Sequence, residues 1–141
     1  MYKVFLTGGD SLKWATDDDL NLLRRSLSLF CEITSIEGCD VIHSVNWRGL
    51  IDVAPQYLAK KFIIAHIPHD VKMLLMKQDY LRMVPFVDLW IVMSRRAKRM
   101  LDGAGLNGVY VPYAVDTERF HRIDENDFRL NQIRKRYNIL T

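Results

Sequence analysis

Five short apolar runs, at residues 3–6, 40–45, 62–67, 87–93 and 108–112, recur along the chain with helix-length segments between most of them. That alternation constrains the fold more than any other feature. Val, Ile, Phe and Trp dominate the runs, and several, such as Phe62-Ile63-Ile64-Ala65, are continuously apolar. A strand wetted on one face alternates apolar with polar residues, whereas a strand covered on both faces does not. The runs therefore predict an α/β doubly wound architecture, a mainly parallel sheet flanked by helices.

The segments between the runs carry helix signals. Thr16 is placed to cap a helix opening on Asp17-Asp18-Asp19, whose charges suit the positive end of a helix dipole. Leu20, Leu23, Leu27 and Phe30 follow at helical spacing, with Arg24 and Arg25 on the other side. A second helix is expected over residues 47–60, kinked or restarted at Pro55. Asp70 is placed to cap a third, along which Met73, Met76, Tyr80 and Met83 form one stripe, read as core packing. Ser94 is placed to cap a fourth, with Ala97, Met100 and Leu101 inward and Gly103 or Gly105 ending it. Residues 1–121 read as one domain. Beyond Phe120 the chain turns polar, and residues 124–137 read as a charged helix with little to bury. Residues 122–141 are therefore expected to be a linker or the opening of a further domain.

With 141 residues, 49% of them hydrophobic, the chain can bury the core of one domain, and it lacks the composition of a disordered segment. Its apolar runs fall well short of the ~20 residues that cross a bilayer. The opening Met1-Tyr2-Lys3-Val4-Phe5-Leu6 is too short for a secretory leader. Cys31 and Cys39, without a leader, point to a reducing, cytoplasmic setting. A net charge of +3 is mild, so only its placement argues for an anionic partner. Ser94-Arg95-Arg96-Ala97-Lys98-Arg99 sets four cations at a helix start, where each opposes the dipole by roughly a few tenths of a kcal/mol. A phosphate, an acidic partner or a peripheral membrane contact would offset that cost; a solvated basic face is the plain alternative. Nucleic acid is not expected, because no aromatic–basic interleaving accompanies the run.

Ligands of doubly wound sheets bind at the carboxyl ends of the strands. Those ends here read His43-Ser44-Val45-Asn46-Trp47-Arg48, His66-Ile67-Pro68-His69-Asp70 and Met93-Ser94-Arg95-Arg96. Polar groups along one rim of an apolar sheet are what a cleft needs. His43 and His66, inside their runs, also fit hydrogen-bonded core residues, while His69 beside Asp70 fits an oriented functional imidazole. A metal held by His66, His69, Asp70 and His43 is not expected. Strand residues three apart point to opposite faces, and no Cys cluster or His-Glu-x-x-His pattern is present. Gly8-Gly9 lacks the spacing of a phosphate loop and reads as a turn.

Four segments in order carry a resemblance: Asp40-Val41-Ile42-His43; Ile64-Ala65-His66-Ile67-Pro68-His69-Asp70; Val87-Asp88-Leu89-Trp90-Ile91-Val92-Met93-Ser94; and Val111-Pro112-Tyr113-Ala114-Val115-Asp116-Thr117-Glu118-Arg119-Phe120. Over residues 40–120 this series resembles the amino-terminal, Rossmann-like half of GT-B glycosyltransferases of the family 4 type. The resemblance implies retaining transfer of a sugar from a nucleotide-sugar donor, without a required metal or cofactor. It implies that His69 is the catalytic histidine at the cleft floor and that Asp70 supports it. It places His43 and Asn46 on the acceptor side, Ser94 and Arg95 at the cleft, and residues 112–120 at the crossover to a second domain. Ala114 stands where the family usually has glycine. The family also opens with a further strand–helix–strand unit, so residues 3–6 are expected to be a later strand of it. The donor-binding domain would lie elsewhere, leaving this chain inactive alone, facing a sugar or lipid-linked acceptor and able to self-associate through the exposed face. Two other classes stand beside this one: a non-catalytic binding module that docks an anionic partner or membrane through the basic helix, and a metal-dependent hydrolase.

Overall fold

A computed structural model describes residues 1–9, 15–67, 78–112 and 128–137. All five apolar runs form strands: β1 (Lys3–Thr7), β3 (Val41–Ser44), β4 (Phe62–Ile67), β5 (Leu89–Val92) and β6 (Gly108–Tyr110). The two-residue β2 (Glu32–Ile33) joins them. The six strands run parallel in the order β2-β1-β3-β4-β5-β6. The architecture is thus the expected Rossmann-like α/β sheet. The chain leaves β1 in one direction to reach β2 and returns to the other side for β3, so the topological switch point lies between β1 and β3.

The helices are α1 (Ala15–Leu27), α2 (Pro55–Leu58), α3 (Gln78–Met83), α4 (Arg95–Gly103) and α5 (Phe128–Tyr137). Among the described residues no helix is long and apolar enough to cross a membrane. α1 has Asp17 and Asp18 in its first turn and Arg24 and Arg25 in its last, matching its dipole at both ends. Thr16 lies inside that first turn rather than at the cap, and among the described residues its buried hydroxyl has no hydrogen-bond partner. The helix expected over residues 47–60 is in two pieces, with the restart at Pro55 that the sequence suggested and a 3-10 turn in place of its first part. A 3-10 turn, Trp47–Leu50, is capped by the Asn46 side chain accepting from the Arg48 N–H at 3.2 Å. The chain then restarts as α2 with Pro55 at its first position, where the missing N–H costs nothing. Of the third helix, the Asp70 cap and residues up to 77 lie outside the described residues; Met83 packs against the core.

α4 is decided almost wholly by local chemistry. The Ser94 hydroxyl accepts from the Ala97 N–H at 3.0 Å. At the other end Gly105 takes φ +69°, the Leu106 N–H donates to the Leu101 carbonyl and the Gly105 N–H to that of Asp102, each at 3.0 Å. This is the Schellman stop that a left-handed glycine allows. Of the two glycines expected to end the helix, Gly105 supplies the turn.

Register divides the sheet into two unequal faces. Ile42, Ile63, Ala65, Ile67, Trp90 and Val92 share the covered face and are buried. They pack with Trp47, Leu50 and Leu58 after β3 and with Ala97 and Leu101 of α4. On the other face α1 lies against β1 and β2, and Val4 and Leu6 are buried there. Across β4–β6 the same face is half-open. Ile64, His66, Leu89 and Ile91 are half-buried, while Phe62 (47%), Val109 (38%) and Val111 (43%) are exposed. Phe128 on α5 is exposed as well.

Candidate functional site

The carboxyl ends of β1, β3, β4, β5 and β6 form the rim on which a ligand would sit. At the switch point the rim is closed by the chain itself. Gly8 adopts φ +98°, and a Cβ on Gly49 would stand 2.4 Å from the Gly8 Cα. The Ser44 hydroxyl, fully buried, donates to the Asn46 carbonyl, and the Thr7 hydroxyl to the Gly49 carbonyl at 3.4 Å. Gly8 therefore serves an internal close approach, consistent with its reading as a turn rather than a phosphate loop.

Two histidines at the strand ends meet, the expected His43 and His66, the latter read as fitting a hydrogen-bonded core residue. His43 on β3 and His66 on β4 lie on the half-open face with their Nε2 atoms 2.7 Å apart and ring centroids 4.9 Å apart. One ring donates its Nε2–H and the other accepts, which requires opposite tautomers. Burial pushes His43 down from the ordinary 6.5 to about 3, with repulsion from His66 adding to it. Burial alone pushes His66 down to about 4. Both rings are neutral at pH 7.

Beside this pair a pocket of about 170 Å³ opens between α1 and the strand ends. α1 contributes Asp19, Leu22 and Leu23. The sheet contributes Val45, His66, Ile91 and Met93, and the chain after β6 contributes Val111 and Pro112. The walls are apolar except at Asp19 and His66. His43, 8% exposed, stands behind His66.

The remaining expected residues are dispersed along the rim. Asn46 spends its side-chain oxygen on the cap of the 3-10 turn. Ser94 spends its hydroxyl on the cap of α4. Arg95 stacks over the Tyr110 ring at 5.9 Å. Lys98 pairs with Asp102 one turn on, so two of the four cations of α4 have partners within the domain. His69 and Asp70 lie outside the described residues. Among the described residues no group of three or more His, Cys, Asp or Glu is placed to hold a metal ion.

Two motif residues have structural work. The Asp40 carboxylate accepts from the Lys3 N–H at 3.0 Å, and that of Asp88 from the Ile63 N–H at 2.8 Å. Each satisfies a backbone donor at the amino end of a neighbouring strand, opposite the rim. Sequence reasoning did not find the pocket. The signals were the paired Leu22-Leu23 on α1 and the small patch of Val45, Ile91, Met93 and Val111 at the ends of three strands, β3, β5 and β6. They become one surface only when the sheet forms. No family model, curated protein or solved structure matches the chain.

Proposed function

We propose that these residues form the acceptor-side domain of a retaining two-domain glycosyltransferase, whose nucleotide-sugar donor is held by a second domain outside the 141 residues. The observation that carries this reading is where the family-like motifs fall. His43 to Asn46, the end of β4 and Ser94-Arg95 all lie at carboxyl ends of parallel strands, beside a pocket, where doubly wound sheets take ligands. The exposed apolar side chains Val109 and Val111 add support, since a second domain packs against such a surface. In this reading His69 serves the reacting centre and Asp70 orients it. His43 and Asn46 line the acceptor side, Ser94 and Arg95 face the cleft, and no metal or cofactor takes part. A non-catalytic module that docks an anionic partner or membrane through α4 is the weaker reading, because Arg95 is stacked and Lys98 is paired.

The test is to isolate the native polypeptide with an antibody raised against this domain and supply labelled nucleotide sugars with candidate acceptors. A species of roughly twice 16.5 kDa or more that releases nucleoside diphosphate is expected. A native species of 16.5 kDa that releases none refutes the transferase and leaves the binding module.

A further inference from the structure

We propose that the pocket between α1 and the ends of β3–β6 binds a small neutral hydroxyl compound with an aromatic or branched aliphatic body. Naming that compound the sugar acceptor rests on the transferase reading above; its binding does not.

Size and lining set the body of the ligand. The volume of about 170 Å³ is close to that of a cavity, roughly 150 Å³, that accommodates benzene. Leu22, Leu23, Val45 and Met93 form much of the wall. A free sugar placed there would leave most of its hydroxyls without partners, at a cost of roughly 1–3 kcal/mol each. An apolar ring or branched chain loses only its contact with water.

The two polar groups set the head. His66 has its Nε2 engaged by His43, so Nδ1 is the atom it has left for a ligand. If His66 donates in the pair, that Nδ1 is an acceptor; if it accepts, Nδ1 carries the proton. A hydroxyl both donates and accepts, so it pairs with either tautomer, whereas a ketone or ether pairs with one. An anionic head is disfavoured. Both imidazoles are neutral, Asp19 brings a carboxylate from the α1 wall, and among the described residues no Lys or Arg lines the pocket. The cations of α4 do not line this pocket.

The experiment uses the chain labelled at its methionine methyl groups, with Met93, on the pocket wall, assigned through Met93→Leu. Phenol is expected to shift the Met93 signal saturably with a Kd on the order of 1 mM. Phenyl phosphate is expected to bind at least roughly tenfold more weakly, and glucose to leave the signal in place. His66→Leu is expected to weaken phenol several-fold relative to toluene, because the hydroxyl then loses its partner. No saturable shift with phenol, or phenyl phosphate or glucose binding as well as phenol, overturns the proposal. If His66→Leu does not fold, the comparison of phenol with phenyl phosphate on the unaltered chain decides it. Phenol binding without nucleotide-sugar turnover in the native polypeptide refutes the transferase reading alone. Turnover without phenol binding overturns this proposal alone.

Discussion

Acidification to pH 5 should unfold this domain more readily than pH 7 does, and the His43–His66 pair should be the cause. In the unfolded chain each imidazole takes up a proton below its ordinary pKa of 6.5. In the folded domain the same uptake waits until about 4 for His66 and about 3 for His43. Between pH 6.5 and these lower values the unfolded state binds more protons, so stability falls as pH falls; above 6.5 the pair contributes no slope. At pH 5 each ring has been crossed by about 1.5 pH units, worth about 2 kcal/mol, so the pair removes on the order of 4 kcal/mol. A domain of this size has about 5–15 kcal/mol to lose. Glu37, held below the usual carboxylate range chiefly by a hydrogen bond to its own backbone, keeps its contribution above its ordinary 4.5 and so does not account for a loss in this window.

The assay is urea unfolding followed by tryptophan fluorescence at pH 7.5, 6.5, 5.5 and 5.0. The midpoint should fall steeply below pH 6.5 with an unchanged m-value. His43→Leu should roughly halve that slope, whatever it does to stability at pH 7.5, because one of two titrating groups is gone. A midpoint that stays flat from pH 7.5 to 5.0 would mean that the folded rings take up protons as readily as the unfolded ones. The buried neutral pair, and the ligand head argued from it, would then be wrong.

Three further perturbations separate local from long-range causes. Gly49→Ala, whose Cβ would stand 2.4 Å from the Gly8 Cα and 2.5 Å from its N, should cost about 3 kcal/mol or more. Gly103→Ala, with nothing within 4 Å at the end of α4, should be neutral or stabilise by up to about 1 kcal/mol; equal effects in urea unfolding would refute the close approach. Ser94→Ala should cost about 1 kcal/mol and Ser94→Asp should restore it, read as urea midpoints at pH 7.5. If the native polypeptide is the transferase proposed above, His69→Ala should lower its kcat by roughly a hundredfold or more while leaving Tm in place; unchanged turnover removes His69 from the chemistry.

The strands and α4 were legible from the amino-acid sequence because their causes are local. Continuous apolar runs announce strands, although one face of β4–β6 is half-open rather than covered, Ser94 and Gly105 mark the ends of a helix, and Ala97 and Leu101 sit one turn apart on its inner side. These are relations between residues at most a few positions apart, and physical chemistry acts on them before any tertiary contact exists. Where local signals competed, the outcome was legible only in part. Over residues 47–60 the restart at Pro55 was readable, but the 3-10 turn that the Asn46 cap draws before it was not. The two residues of β2 are too few for any periodicity and become a strand only because β1 offers an unpaired edge.

The site belongs to the tertiary structure. His43 and His66 are 23 positions apart, and nothing near either one says that their Nε2 atoms meet. That contact follows from the β3–β4 register, which pairs His43 with Ile64 and so puts His66 two residues further along the same face. Their neutrality follows from burial, and the pocket exists only where α1 closes over one half of that face. Periodicity along a chain specifies which face of an element is apolar. Which elements become neighbours, and how far one slides against the next, is set by the packing of distant segments, and desolvation of an imidazole depends on that packing alone.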